Sequence, residues 1–238
     1  MNRRDFMQRI AVINPKGGSG KTTLATNLAS YFASRGKKTA LMDYDSQGSS
    51  TYWVGQRSPE LPKIQVIPAY KHPVGVTRNW FLRVEPDTEC LIIDTAAALD
   101  FATFQRTLQE ASAIVIPVLP SDVDIHAVAN SIGQLLTIAK IDRNDQRIAV
   151  VANRARKNTL VYQRLVHFLN TLRIPFVTTL RDTHNYINAA GQGLGIFEMP
   201  EKKVHEDLIV WQPLLDWLEQ HSDDRSPALR PTAPRAVL

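Results

Sequence analysis

The chain has 238 residues, 44% hydrophobic and 21% charged, which suits one α/β domain with a large core and excludes a disordered or fibrous protein. Its formal charge of +5 points to a polyanionic partner only if the basic residues cluster in space. The lone Cys90 excludes a disulfide framework and a cluster of cysteine metal ligands and fits a reducing cytoplasm; no apolar run approaches the ~20 residues that cross a bilayer.

The amino end, MNRRDFMQRIAVINPKGG, has a short apolar stretch without a small-residue cleavage site, so it reads as a first strand rather than a signal peptide. Strands are expected at Gln8–Asn14, Thr39–Asp43, Cys90–Asp94, Ala113–Val118 and Arg147–Asn153, with weaker candidates at Ile64–Ile67 and Ile174–Val177. Their near-continuous hydrophobicity implies strands covered on both faces. Helical periods fall between them at Lys21–Arg35, Phe101–Glu110, Asp124–Lys140 and Thr159–Thr171. This alternation predicts a doubly wound, mostly parallel α/β sheet flanked by helices, with its active loops at the strand carboxyl ends. Pro59, Pro62, Pro68 and Pro73 break any regular element between Ser58 and Arg83. Glu206–His221 reads as a closing helix, with a kink or late start at Pro213. The domain is expected to span residues 1–221, followed by a flexible, proline-rich tail at 222–238.

The most informative segment runs from Asn14 to Thr23, NPKGGSGKTT, after a strand and into a helix. Glycines there let backbone N–H groups converge on phosphate oxygens, and the helix amino end adds a favourable dipole. Gly17, Gly18, Ser19, Gly20, Lys21, Thr22 and Thr23 are therefore the expected nucleotide-binding residues, with Lys21 bridging the β- and γ-phosphates and the Thr22 hydroxyl serving Mg²⁺. Pro15 and Lys16 depart from the ordinary pattern, which begins with glycine. Strand two ends in Asp43-Tyr44-Asp45-Ser46-Gln47, and an extended chain puts Asp43 and Asp45 on one side. Paired acids beside such a loop can hold Mg²⁺ waters and orient an attacking water. Leu91-Ile92-Ile93-Asp94 is an apolar strand ending in an acid that can support the same ion. Thr22, Asp43 and Asp94 are thus the candidate metal residues.

These motifs, in this order, resemble those of the ParA/MinD superfamily. Lys16-Gly17-Gly18-Ser19-Gly20-Lys21-Thr22 is similar to its deviant Walker A loop, and Asp43–Gln47 to its DxDxQ segment. The resemblance implies an ATP- and Mg²⁺-dependent homodimer in which Lys16 crosses to the partner's phosphates. It also implies that Lys16, Lys21 and Asp45 serve hydrolysis. It extends from about Gln8 to the closing helix and is weakest over Ser50–Thr88. Thr95-Ala96-Ala97-Ala98 departs from the proline or glycine frequent in the family after the Walker B aspartate. Asn153, at the end of a strand, can pair with an adenine edge as in the family or serve as a strand-end cap. Ser121 and Asp122 read as an ordinary helix cap or as the family's loop after the fifth strand. Thr178–Met199 resembles the segment that packs beside the base.

Between Lys140 and Arg173 eight basic residues face only Asp142 and Asp145. Arg154, Arg156, Lys157, Arg164, Lys202 and Lys203 are the candidate surface for non-specific DNA, the alternative being a solvated helix face. By resemblance, small ParA-type proteins position plasmids, chromosomal origins or protein cargo such as carboxysomes on the nucleoid. They hydrolyse ATP slowly until stimulated by a ParB-like or cargo-adaptor partner. The short stretch before the loop leads us to expect no N-terminal helix-turn-helix. Two other classes compete. A MinD-like membrane switch needs a C-terminal amphipathic helix, which Pro227, Pro231 and Pro234 disfavour, so no membrane partner is expected. A metabolic P-loop enzyme is disfavoured by the single cysteine, for a bridging cluster, and by Lys16, for the ligases.

Overall fold

Strands rich in branched aliphatic residues pair in register in the computed structural model, which describes residues 7–71, 82–121, 133, 146–171 and 174–221. Seven strands form one sheet: β1 Gln8–Val12, β2 Thr39–Asp43, β3 Ile64–Pro68, β4 Cys90–Asp94, β5 Ala113–Val118, β6 Ile148–Ala155 and β7 Phe176–Arg181. Their order is β3-β2-β4-β1-β5-β6-β7, and every neighbouring pair is parallel. Residues of β2, β4 and β5 are buried throughout, as strands covered on both faces must be. The seven-stranded parallel sheet flanked by helices is the predicted doubly wound fold.

Alternate residues of each strand feed two cores. Ile10, Val12, Leu41 and Ile92 pack with helices α1 (Lys21–Ser34), α2 (Ser49–Gly55), α5 (Asn185–Ala190) and α6 (Glu201–Gln220). Ala11, Ile13, Met42 and Ile93 pack on the opposite face with α3 (Phe101–Glu110) and α4 (Leu160–Thr171). The register pairs Val12 with Asp94 and Asp43 with Asp94, so β1, β2 and β4 finish level at one rim. That rim carries the loop and both strand-ending aspartates.

Three expectations shift. The closing helix begins at Glu201 rather than Glu206 and continues past Pro213. Proline removes the N–H that would bond the Ile209 carbonyl, but Ile209 is 58% exposed and water can serve it. Buried Val204, Trp211, Leu214, Leu215 and Leu218 hold the helix on both sides of the break. β7 lies at residues 176–181, later than Ile174–Val177, because an edge strand tolerates Thr178, Thr179 and Arg181. The short helices α2 and α5 were not foreseen. Apart from Gly133, the expected helix Asp124–Lys140 lies outside the described residues, as does the tail 222–238.

Trp211 is the largest fully buried side chain; its indole N–H donates to the Tyr186 hydroxyl at 2.9 Å, and its ring meets Phe197 edge-on at 5.4 Å. Trp211→Ala should cost about 3–5 kcal/mol, read as a lower denaturant midpoint at unchanged slope.

Candidate functional site

The loop from Ile13 to Gly20 is fastened at both ends by asparagines. Asn14, which sequence reasoning passed over, donates from Nδ2 to the Pro117 carbonyl (2.7 Å) and accepts the Lys16 N–H (2.8 Å), tying the start of the loop to the end of β5. Asn153 donates to the Ser19 carbonyl at 2.9 Å from the end of β6, 134 positions away. Gly20 has φ +93°, and a methyl there would overlap the Asn153 amide. Side chains at Gly17 or Gly18 would meet nothing within 4 Å, so that side of the loop is open. The first turn of α1 has neither a side-chain cap nor an acidic residue, which leaves its N–H groups and dipole to an anion.

Lys21 is buried, and its ammonium donates to the Lys16 carbonyl at 3.2 Å. Burial lowers its pKa against the opposing pull of Asp94 and Asp45. Thr22 Oγ1 donates to Asp94 Oδ2 at 2.8 Å, and Ser50, from α2, donates to the same oxygen at 2.6 Å. Asp94 is 1% exposed, and its Oδ1 is buried with no partner. Burial raises its pKa to about 6, although the Ser50 and Thr22 hydroxyls oppose that rise. Asp43 is also fully buried and raised for the same reason; its Oδ2 accepts the Thr51 N–H (2.9 Å) and hydroxyl (2.8 Å), and its Oδ1 the Asp45 N–H (3.0 Å). Asp45 is half-buried and accepts the Gln47 N–H at 3.0 Å.

This donor set is all oxygen, as a hard cation such as Mg²⁺ requires. Of the three expected metal residues, Thr22 and Asp94 fit best, because Asp94 keeps an unpartnered buried oxygen. Both oxygens of Asp43 already accept hydrogen bonds from the following segment. Among the described residues no group of three or more His, Cys, Asp or Glu side chains could hold a metal. A cation held at Thr22 and Asp94 would need further oxygens from outside the protein, such as phosphate and water.

Asn153, considered for the adenine edge, is 3% exposed; besides the Ser19 bond, its Oδ1 accepts the Arg154 N–H. The structure places it beneath the loop, and the next residue, Arg154, has φ 49°. The candidate DNA residues are not brought into one uniform patch. Arg154 and Arg156 both face Asp182, at 3.6 and 3.2 Å. Lys157 and Arg164 are exposed on and before α4, whereas Lys202 and Lys203 are exposed in the first turn of α6. Arg156, Lys157 and Arg181 share a cleft of about 510 Å³ with Asp182, Glu206 and Ile209. Counting charges along residues 140–173 left out these later acids.

A parallel sheet whose central strand feeds a glycine loop and an uncapped helix is the arrangement of the P-loop nucleotide-binding proteins, and this chain has that fold. Within that class, residues 10–196 match the CobQ/CobB/MinD/ParA nucleotide binding domain, and the chain belongs to that family. The maintenance of carboxysome distribution protein A of Halothiobacillus neapolitanus is 30% identical over 191 residues, spanning 80% of this chain and 87% of that one. Two solved structures, each 16% identical, share the fold. One is a putative plasmid partition protein from Borrelia burgdorferi B31 bound to AMPPNP, with a TM-score of 0.67 over 88% of this chain and 99% of that one. The other is an ATP complex of McdA from Cyanothece, with a TM-score of 0.68 over 88% and 97%. Among the described residues no helix is long and apolar enough to cross a membrane.

Two outcomes follow from the packing. With the Asp94 pKa raised in the folded state, folding favours the protonated acid. That contribution is complete below about pH 4 and is lost as pH rises through about 6. In EDTA, Asp94→Asn should therefore match wild type near pH 4 and exceed it at pH 8 by up to about 3 kcal/mol in denaturant unfolding. Gly20→Ala should abolish nucleotide binding in a fluorescence titration, because the loop cannot both clear Asn153 and keep its positive φ.

Proposed function

We propose that the chain is a ParA-like positioning ATPase that acts as an ATP-sandwich dimer. The observation that carries this reading is the Lys21–Thr22–Asp94 array at the open amino end of α1, on a loop that begins with a second lysine, Lys16. Glycine amides 17–20 and Lys21 hold the triphosphate; Thr22 and Asp94 orient the Mg²⁺ shell. Bound Mg²⁺ supplies charge neutralisation on the phosphate oxygens. Lys16 reaches the partner's phosphates as the dimer closes. Asp45, half-buried at the rim and held by the Gln47 N–H, turns toward the attacking water when the segment after β2 is reorganised.

The closed dimer binds non-specific DNA through Arg154, Arg156, Lys157, Arg164, Lys202 and Lys203, which places the protein on the nucleoid in the cytoplasm. A ParB-like or cargo-adaptor protein stimulates hydrolysis and so releases the dimer. The likeness to the Halothiobacillus protein favours a carboxysome as cargo.

The test is binding to random-sequence duplex DNA with no nucleotide, ADP or ATP–Mg²⁺ across a salt series. Binding should require ATP, ignore sequence and fall with a log–log slope of about −0.9 per phosphate contacted. Lys16→Ala should lose ATP-dependent dimerisation or stimulated turnover, and Asp45→Ala should accumulate as a DNA-bound ATP dimer. An ATP dimer with no affinity for DNA would overturn the nucleoid reading. An Asp45→Ala protein that stayed monomeric with ATP would overturn the assignment of its role.

A further inference from the structure

We infer that Ser50 is a positioning residue for the cation side of the site, holding the Asp94 carboxylate so that Oδ1 alone remains open to a divalent ion or its water shell. The inference rests on the ATP–Mg²⁺ reading above. Asp94 Oδ2 receives hydroxyl protons from two separate elements: Thr22 on α1 at 2.8 Å and Ser50 on α2 at 2.6 Å. Oδ1 receives none, although it is equally buried. A single donor leaves a carboxylate free to swing about its Cβ–Cγ bond; two donors arriving from different elements fix its plane. Ser50 is 0% exposed, so no bulk water competes for its hydroxyl.

The mount behind Ser50 is tied in on both sides. Gly48 precedes α2 with φ +64°, a left-handed turn that favours glycine and sets the direction in which the helix leaves β2. The next residue after Ser50, Thr51, gives its N–H and hydroxyl to Asp43 Oδ2 at 2.9 and 2.8 Å. Consecutive residues of α2 thus grip the carboxylates that end adjacent strands. Farther along α2 the Trp53 indole donates to the Leu194 carbonyl at 3.2 Å, and just past the helix Arg57 donates to Glu198 at 2.6 Å and to the Gly193 carbonyl at 2.9 Å. A group that orients a cation-binding carboxylate in this manner governs metal affinity without touching the metal.

The experiment titrates a fluorescent ATP analogue into wild type, Ser50→Ala and Ser50→Cys, first in EDTA and then at saturating analogue against Mg²⁺. Cysteine preserves the side-chain shape but donates weakly, so it covers the case in which Ser50→Ala fails to fold. The expected order of Mg²⁺ affinity is wild type, then Ser50→Cys, then Ser50→Ala, with the last weakened about 10-fold or more, while affinities in EDTA agree within about twofold. Variants that bind Mg²⁺ as wild type does, or that lose analogue affinity equally in EDTA, would overturn the inference alone. Wild-type affinity that ignores Mg²⁺ would overturn the ATP–Mg²⁺ reading and this inference together.

Discussion

The burial of charge at one rim of the sheet constrains everything around it. Asp43 and Asp94 end the fully buried strands β2 and β4, Lys21 is buried beside them, and each is shifted toward its neutral form by that burial. Such groups persist only where donors and counter-charges are placed for them. Here the placement comes from backbone register: because β1, β2 and β4 end level, one hydroxyl from α1 and two from α2 reach two carboxylates at hydrogen-bond distance. A ligand that brought phosphate and a divalent cation would supply counter-charges for these groups.

α2 has a second set of obligations that ties this rim to the far end of the chain. Arg57 and Glu198, each 5% exposed by side chain, form a buried ion pair, and the guanidinium also lies over the Trp53 ring at 4.8 Å. Glu198 further accepts the Gly195 N–H, and Asn27 of α1 accepts the Ile196 N–H. The segment 193–198 is therefore clamped between α1 and α2, with Gly193 packed against the backbone of Gln56 and Arg57. Removing one partner of that ion pair would strand the other in a dry interface, so the contact joins the region after α2 to this late segment at a cost to any variant that breaks it.

Much of this was legible in the sequence because the informative features are local. The spacing of Gly17, Gly18, Gly20, Lys21 and Thr22, set between an apolar strand and a helical period, specifies a phosphate loop without knowledge of its surroundings. Asp43 and Asp94 likewise announce themselves at the ends of apolar runs. What escaped depends on meetings between distant residues. Ser50 and Thr51 look like ordinary turn residues after Asp45, and only the register of β2 and β4 turns them onto the carboxylates. The bonds by which Asn14 and Asn153 fasten the loop depend likewise on β5 and β6, which bring Pro117 and Asn153 to it. The charge count between residues 140 and 173 could not include Asp182, which pairs with Arg154 and Arg156 from a later strand end.

The hydrogen bond from Asn153 to the Ser19 carbonyl also has a meaning in time. On the ribosome, β1, the glycine loop, α1 and Asp43 are made before the two brackets of the loop, which belong to residues 117 and 153. At about 5–20 residues per second, the 134 positions between Ser19 and Asn153 separate the loop's synthesis from its completion by roughly 7 to 27 seconds. During that interval the nascent chain carries its phosphate-binding residues without the frame that shapes them. The shape of the phosphate loop is thus a late product of synthesis, completed only when most of the sheet has been made.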